Sequence, residues 1–260
     1  MERFDKEDRK VEPKDRLIVA VDISKIEKAK VLVDELYFDV GYFKLGLEWI
    51  SSTLSSLISL EDDTMALEYL SSVRQFISPI RERIFWDIKL DDIPNTVAKA
   101  SFAIAQMGVK MFNVHASAGR KSIEAAVQNR GNSLVFGVTV LTSIDEEECL
   151  SIFGEKPGPK VLQFSRILLE TGADGVICSP QELEFLAQYP ELERFQRATP
   201  GVRPKWATAG DQKRFMTPAE AVRAGAEYLI IGRPISDPPP EIGSPRNAAR
   251  RIAAEIAAAT

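Results

Sequence analysis

IFWDIKLDDIPNT, residues 84–96, reads as an apolar strand, a charged corner and the first turn of a helix. Successive side chains of a strand point to opposite faces. Phe85, Asp87 and Lys89 therefore share one face, and Ile84, Trp86, Ile88 and Leu90 share the other. An acid and an amine are expected side by side, followed at once by Asp91 and Asp92. Pro94 suits a first helical turn, where its fixed φ and missing N–H do no harm, and Asp91 or Asp92 is expected to cap that helix. A merely structural Asp87–Lys89 pair is the weaker reading, because desolvating two charges is expensive and buried pairs seldom add net stability.

The same strand-then-helix unit recurs along the chain. RLIVAVDI (16–23), GYFKLGL (41–47), IFWDIKL (84–90) and MFNVHAS (111–117) are the first four strand candidates. SLVFGVTVL (133–141), GADGVICS (172–179), ATPGV (198–202) and AEYLIIGRP (226–234) complete eight. Strands alternating with helices imply parallel pairing, and nearly continuous apolar strands imply a sheet covered on both faces. Eight such units predict an α/β fold, a single (β/α)8 TIM barrel spanning residues 1–260, and the 260-residue length suits one such domain. Residues 51–65, SSTLSSLISLEDDTM, lengthen the second connection and are expected to form an extra helix or a loop. DPPPEIGSP (237–245) reads as a stiff turn before a closing Ala-rich helix at 246–259.

Composition narrows the class. Hydrophobic residues make up 45% and charged residues 27%, as in a globular protein with a full core. The net charge of −5 argues against a nucleic-acid binder, which carries a basic face. Residues 1–15 form a polar leader without the apolar centre of a secretory signal, and no run approaches a membrane span. Cys149 and Cys178 lack CxxC spacing, so neither a zinc site nor a disulfide framework is expected, and a cytoplasmic location is the default.

Polar residues gather where the strands end: Asp22, Lys44, Asp87 with Lys89, His115, Thr142, Ser179, Arg203, and Gly232 with Arg233. Barrel active sites occupy that rim. IIGRP at 230–234 resembles a barrel phosphate site, with a glycine admitting close backbone approach and an arginine adding a charge-assisted fork. PGVRPKWATAGDQKRFMTP at 200–218 is long enough to close over a phosphate, with Lys205, Lys213 and Arg214 read as solvated. His115 is the only histidine and reads as a satisfied, partly buried side chain; without a partner it supports no Ser or Cys nucleophile system, so Ser117 and Ser179 are set aside. Lys89 supplies a cation among the carboxylates and argues against Mg²⁺ there.

Taken together, VAVD (19–22), YFKLG (42–46), DIKLDDIPNT (87–96), FNVHAS (112–117), VTVLTS (138–143), PGVR (200–203), DQKR (211–214) and IIGRP (230–234) resemble the orotidine 5′-monophosphate decarboxylase family. The resemblance implies cofactor-free conversion of orotidine 5′-monophosphate to UMP in de novo pyrimidine synthesis, with no metal, nucleic acid or membrane as partner. It implies that Asp22 and Lys44 meet the ribose hydroxyls, Lys44 being tied to the charged array as well. Asp87, Lys89 and Asp92 become the catalytic network. Thr142 and Ser143 address the pyrimidine edge, Gln212, Gly232 and Arg233 hold the phosphate, and Arg203 supports the closing loop. Asp92, Ile93 and Thr96 are placed in a neighbouring subunit's site, which implies a homodimer. The polar leader, the long connection at 51–65 and KWAT at 205–208 depart from the family pattern. Two rivals share the fold: a metal-dependent sugar-phosphate decarboxylase or aldolase with the same DxKxxD pattern, and an inactive phosphate-binding barrel.

Overall fold

The computed structural model describes residues 11–193, 195–207 and 216–259. A 3-10 turn at Pro13–Arg16 leads into β1 (Leu17–Ala20), α1 (Ile26–Leu36), β2 (Tyr42–Gly46), α2 (Leu47–Ile58), α3 (Asp63–Ile77) and β3 (Ile84–Leu90). The middle of the chain forms α4 (Pro94–Met107), β4 (Met111–His115), α5 (Arg120–Gln128), β5 (Leu134–Val138), α6 (Glu146–Phe153), α7 (Pro157–Glu170), β6 (Gly175–Ile177) and α8 (Pro180–Ala187). The last part forms β7 (Gln196–Pro200), α9 (Pro218–Arg223), β8 (Tyr228–Ile231), α10 (Arg233–Ser236) and α11 (Pro245–Ala257).

These strands pair in chain order, all parallel, and β8 returns to β1, so the sheet closes into a (β/α)8 barrel. The pleat divides the apolar residues between two cores. Ile18, Phe85, Met111, Phe136, Val138, Ile177, Ala198 and Ile230 point inward and fill the barrel. Val19, Phe43, Leu45, Ile84, Phe112, Val114 and Val135 point outward and meet the helices. That outer layer is tight: a Cβ on Gly137 of β5 would stand 2.0 Å from a Leu168 methyl of α7, so glycine lets the helix close on the strand. Tyr42 and Tyr228 meet edge to face at 5.7 Å in the interior, and burial raises the pKa of both.

Residues 51–65 resolve into the end of α2 and the start of α3, whose N-cap Asp62 accepts from Thr64 and Met65 N–H. The second connection therefore carries one helix more than a barrel unit needs. The helix cap expected from Asp91 or Asp92 is corrected. The N-cap of α4 is Ile93, without a side-chain cap, and Asp92 Oδ1 instead accepts the Ile93 N–H at 2.7 Å. Asp91 and Asp92 stand two positions and one position before the N-cap, too early for their carboxylates to meet the free N–H groups of the first turn. Among the described residues no helix is long and apolar enough to cross a membrane.

Candidate active site

The C-terminal ends of β1, β2 and β3 carry four charged groups into contact. Lys44, inward-facing on β2, places Nζ 3.0 Å from Asp22 Oδ1 and 3.1 Å from Asp87 Oδ2. Lys89 Nζ lies 2.6 Å from the other Asp87 oxygen, Oδ1. Ladder pairing sets this order: the Val21 N–H still bonds Lys44 C=O at 3.0 Å beyond β1, which brings Asp22 beside the Lys44 side chain. Asp22, Lys44, Asp87 and Lys89 thus form a chain of alternating sign.

Burial opposes the Asp87 charge, but Lys44, Lys89 and a hydrogen bond from Asn113 outweigh it and hold the carboxyl below its usual range. Burial likewise opposes the Lys44 charge, and Asp87 with Asp22 reverses the effect, so its pKa is raised. Both groups are therefore ionised at neutral pH.

Backbone geometry at Lys89 departs from the simple pleat. Its φ is +53°, the one positive value outside glycine among the described residues. The β3–β4 register shifts between Trp86, opposite Phe112, and Leu90, opposite Val114. The side chains still meet as expected, yet through a bulged, left-handed residue whose conformation costs roughly 1–2 kcal/mol. Such strain persists where surrounding structure holds it, commonly at functional sites. Asn113 supplies the hold. This fully buried β4 residue accepts the Lys89 N–H at 2.6 Å and donates to Asp87 Oδ1 at 2.6 Å. The sequence contained its signal, an amide at an inward position between Met111 and His115, without a role being read from it.

The charged chain opens into a cavity of about 250 Å³ lined by Lys44, Phe85, Asp87, Lys89, Val138, Val140, Leu141, Thr142, Ile177, Cys178, Pro200 and Ile230. Its apolar side was not singled out from sequence, because these residues also satisfy a barrel core. Thr142 lines the cavity, whereas Ser143 stands exposed beyond it. Cys178 is buried, and burial pushes its thiol up to about 12, leaving it protonated.

Across the rim, Gly232 precedes α10, which begins at Arg233. Arg203 is buried, and its N–H bonds Met216 C=O at 2.9 Å, beside a bridge between Val202 and Met216 that gathers the stem of the 200–218 connection. Trp206 lies on that stem with Arg251 of α11 over its ring at 5.9 Å. Gln212, Lys213 and Arg214 lie outside the described residues. Lys205 is exposed, and His115 is half-buried with its pKa lowered first by burial. Ser179 caps α8 through a capping box with Glu182. Asp92, Ile93 and Thr96 are exposed on the corner, outside the contacts that join Asp87 to Lys89. The Asp92 carbonyl accepts from Ser122 Oγ of α5 at 2.7 Å, fixing the corner's backbone.

Comparison with known proteins gives a consistent family. The profile described as "Orotidine 5'-phosphate decarboxylase / HUMPS family" matches residues 15–252. Orotidine 5'-phosphate decarboxylase of Moorella thermoacetica is 39% identical over 254 residues, covering 94% of this chain and 92% of its own. The Nostoc protein of the same name is 40% identical over 254 residues, covering 93% and 97%. The crystal structure of orotidine 5'-phosphate decarboxylase from Lactobacillus acidophilus superposes with a TM-score of 0.72 at 27% identity, covering 92% of this chain and 98% of that one.

Proposed function

The chain belongs to the orotidine 5′-phosphate decarboxylase / HUMPS family, and on that premise we propose a cofactor-free mechanism centred on Lys89. As a carboxy-lyase of pyrimidine biosynthesis it converts orotidine 5′-monophosphate to UMP and CO₂. The finer assignment rests on one observation above all: the Lys89 ammonium is 2.6 Å from Asp87 at the mouth of a largely apolar cavity.

Breaking the bond between C6 and the carboxylate leaves its electron pair on C6, where no neighbouring carbonyl delocalises it. A fixed cation in a site of low polarity must stabilise the charge, and preorganised groups do this without reorganising. Lys89 faces the developing carbanion and transfers a proton to C6, then regains one from solvent. Asp87, itself held by Lys44, borders the departing carboxylate and anchors the Lys89 ammonium, and Asp92 of a second copy holds that ammonium charged and aligned. Asp22 and Lys44 take the ribose hydroxyls, and Thr142 and Ser143 the pyrimidine edge. Gly232, Arg233 and Gln212 hold the phosphate, with Arg203 steadying the loop stem. The phosphate, remote from C6, supplies binding energy that loop closure converts into rate.

Asp92, Ile93 and Thr96 complete the site of a second copy of the chain, in a homodimer. Their exposure in one chain supports this, as do the exposed apolar side chains Ile93 and Phe102 on the same corner and helix.

The decisive assay follows loss of orotidine 5′-monophosphate absorbance with purified protein after exhaustive chelation. Full turnover is expected. Activity abolished by EDTA and restored by a divalent cation would replace this reading with the metal-dependent one.

A further inference from the structure

We infer that Asn113 is a positioning residue for the decarboxylation, its one amide holding both the left-handed backbone of Lys89 and the carboxylate that steers the Lys89 ammonium. The inference rests on the proposed role of Lys89.

A bulge interrupts β3 at the left-handed Lys89. Where Trp86 and Leu90 span only Phe112 to Val114 of β4, the regular ladder offers the Lys89 N–H no backbone carbonyl in register. Asn113 fills that place with a side-chain carbonyl, at 2.6 Å. The other end of the same amide donates to Asp87 Oδ1, the oxygen that also receives Lys89 Nζ. Backbone N–H, amide, carboxylate and ammonium therefore close a ring that begins and ends on Lys89. A lysine has four rotatable side-chain bonds, and fixing both its root and its tip removes most of that freedom before substrate arrives.

An amide is the side chain that fits. It accepts and donates at once, and it carries no charge into a cluster already balanced by Asp22, Lys44, Asp87 and Lys89. Aspartate would accept from the Lys89 N–H but repel Asp87. Leucine would fill the volume and make neither bond. Asn113 is fully buried behind Asp87, so its action passes through those two residues.

The test separates positioning from folding by reading the Lys89 proton transfer in two reactions. Wild type, Asn113→Leu, Asn113→Asp and Lys89→Ala are compared in kcat and KM for orotidine 5′-monophosphate. The same proteins are compared in exchange of the C6 hydrogen of UMP for deuterium in D₂O, and in Kd for UMP. Both Asn113 variants are expected to lower kcat and the exchange rate together, by about 100-fold, with Kd for UMP little changed. Rates are expressed per UMP-binding site, so a loss of folded molecules alone leaves them at the wild-type value. Asn113→Asp matches the native shape and decides the matter if Asn113→Leu does not fold. Wild-type rates per site in a folded Asn113 variant, with Lys89→Ala inactive in both reactions, would overturn the positioning role alone. Wild-type exchange in Lys89→Ala would overturn the Lys89 reading on which it rests.

Discussion

Gly46 stands opposite Asp87 in the β2–β3 ladder, and a Cβ placed on it would come 3.0 Å from Lys44 Nζ and 3.6 Å from Asp87 Oδ2. Its φ of −108° and ψ of −171° are open to any residue, so the requirement for glycine here lies in the site. Gly46→Ala is expected to keep or slightly raise the thermal midpoint, since alanine reduces unfolded-chain entropy. Turnover should fall on the order of tenfold, because the amine between Asp22 and Asp87 must move. Unchanged kcat would show that the Lys44 position is not critical.

The left-handed backbone at Lys89 makes a separate, thermodynamic prediction. Lys89→Ala and Lys89→Gly should both lose turnover, roughly 10²–10⁴-fold from the missing acid alone. Lys89→Gly should nonetheless be the more stable by about 1 kcal/mol, because glycine adopts positive φ without the Cβ penalty. Urea unfolding of the pair measures this. Equal midpoints would mean that the bulge relaxes once the ammonium is gone.

The proposed sharing of Asp92 between subunits is open to complementation. Lys89→Ala and Asp92→Ala chains, each inactive, are unfolded and refolded together at a concentration that maintains dimers. If Asp92 serves its partner's site, each mixed dimer holds one doubly damaged site and one intact site, and random pairing restores about a quarter of wild-type sites. Mixed dimers without activity would return Asp92 to its own chain.

Glu182, the partner of Ser179 in the capping box of α8, is pushed up to about 7 from 4.5, chiefly by burial. Between those values the folded chain binds a proton that the unfolded chain has released, so stability falls as pH rises through this window. The slope from one group is at most about 1.4 kcal/mol per pH unit. Glu182→Gln, which can still accept the Ser179 N–H, should flatten the decline in unfolding midpoint between pH 5 and pH 8. An identical decline in the variant would locate the titration elsewhere.

All eight strands were legible because short, nearly continuous apolar runs recur between helical stretches, and the charged corner was legible because Pro94 and the acidic pair before it are local signals. The shared face of Asp87 and Lys89 followed from period-two alternation within β3, and the place of Lys44 on the rim followed from its position near the end of its strand. The bulge at Lys89 was hidden, since lysine does not advertise positive φ as glycine does, and the role of Asn113 depends on that bulge. The N-cap at Ile93 eluded the reading because Asp91 and Asp92 have the right chemistry one or two positions too early. The apolar cavity wall was hidden for a different reason: valine and isoleucine look alike whether they pack a barrel or face a base.

The seam of the barrel bears on how the chain acquires its activity during synthesis. Leu17, Ile18 and Val19 pair with Leu229, Ile230 and Ile231, so the first strand waits for the last before the ring can close. Until then β1 presents an open edge, and the loop to be closed spans most of the chain, a slow and aggregation-exposed arrangement. Asp22 follows one side of that seam, and Gly232 and Arg233 follow the other. A nascent chain on the ribosome can build the Asp87–Lys89 corner early from neighbouring strands, but Asp22 and the Gly232–Arg233 turn come together only when the final ladder zips.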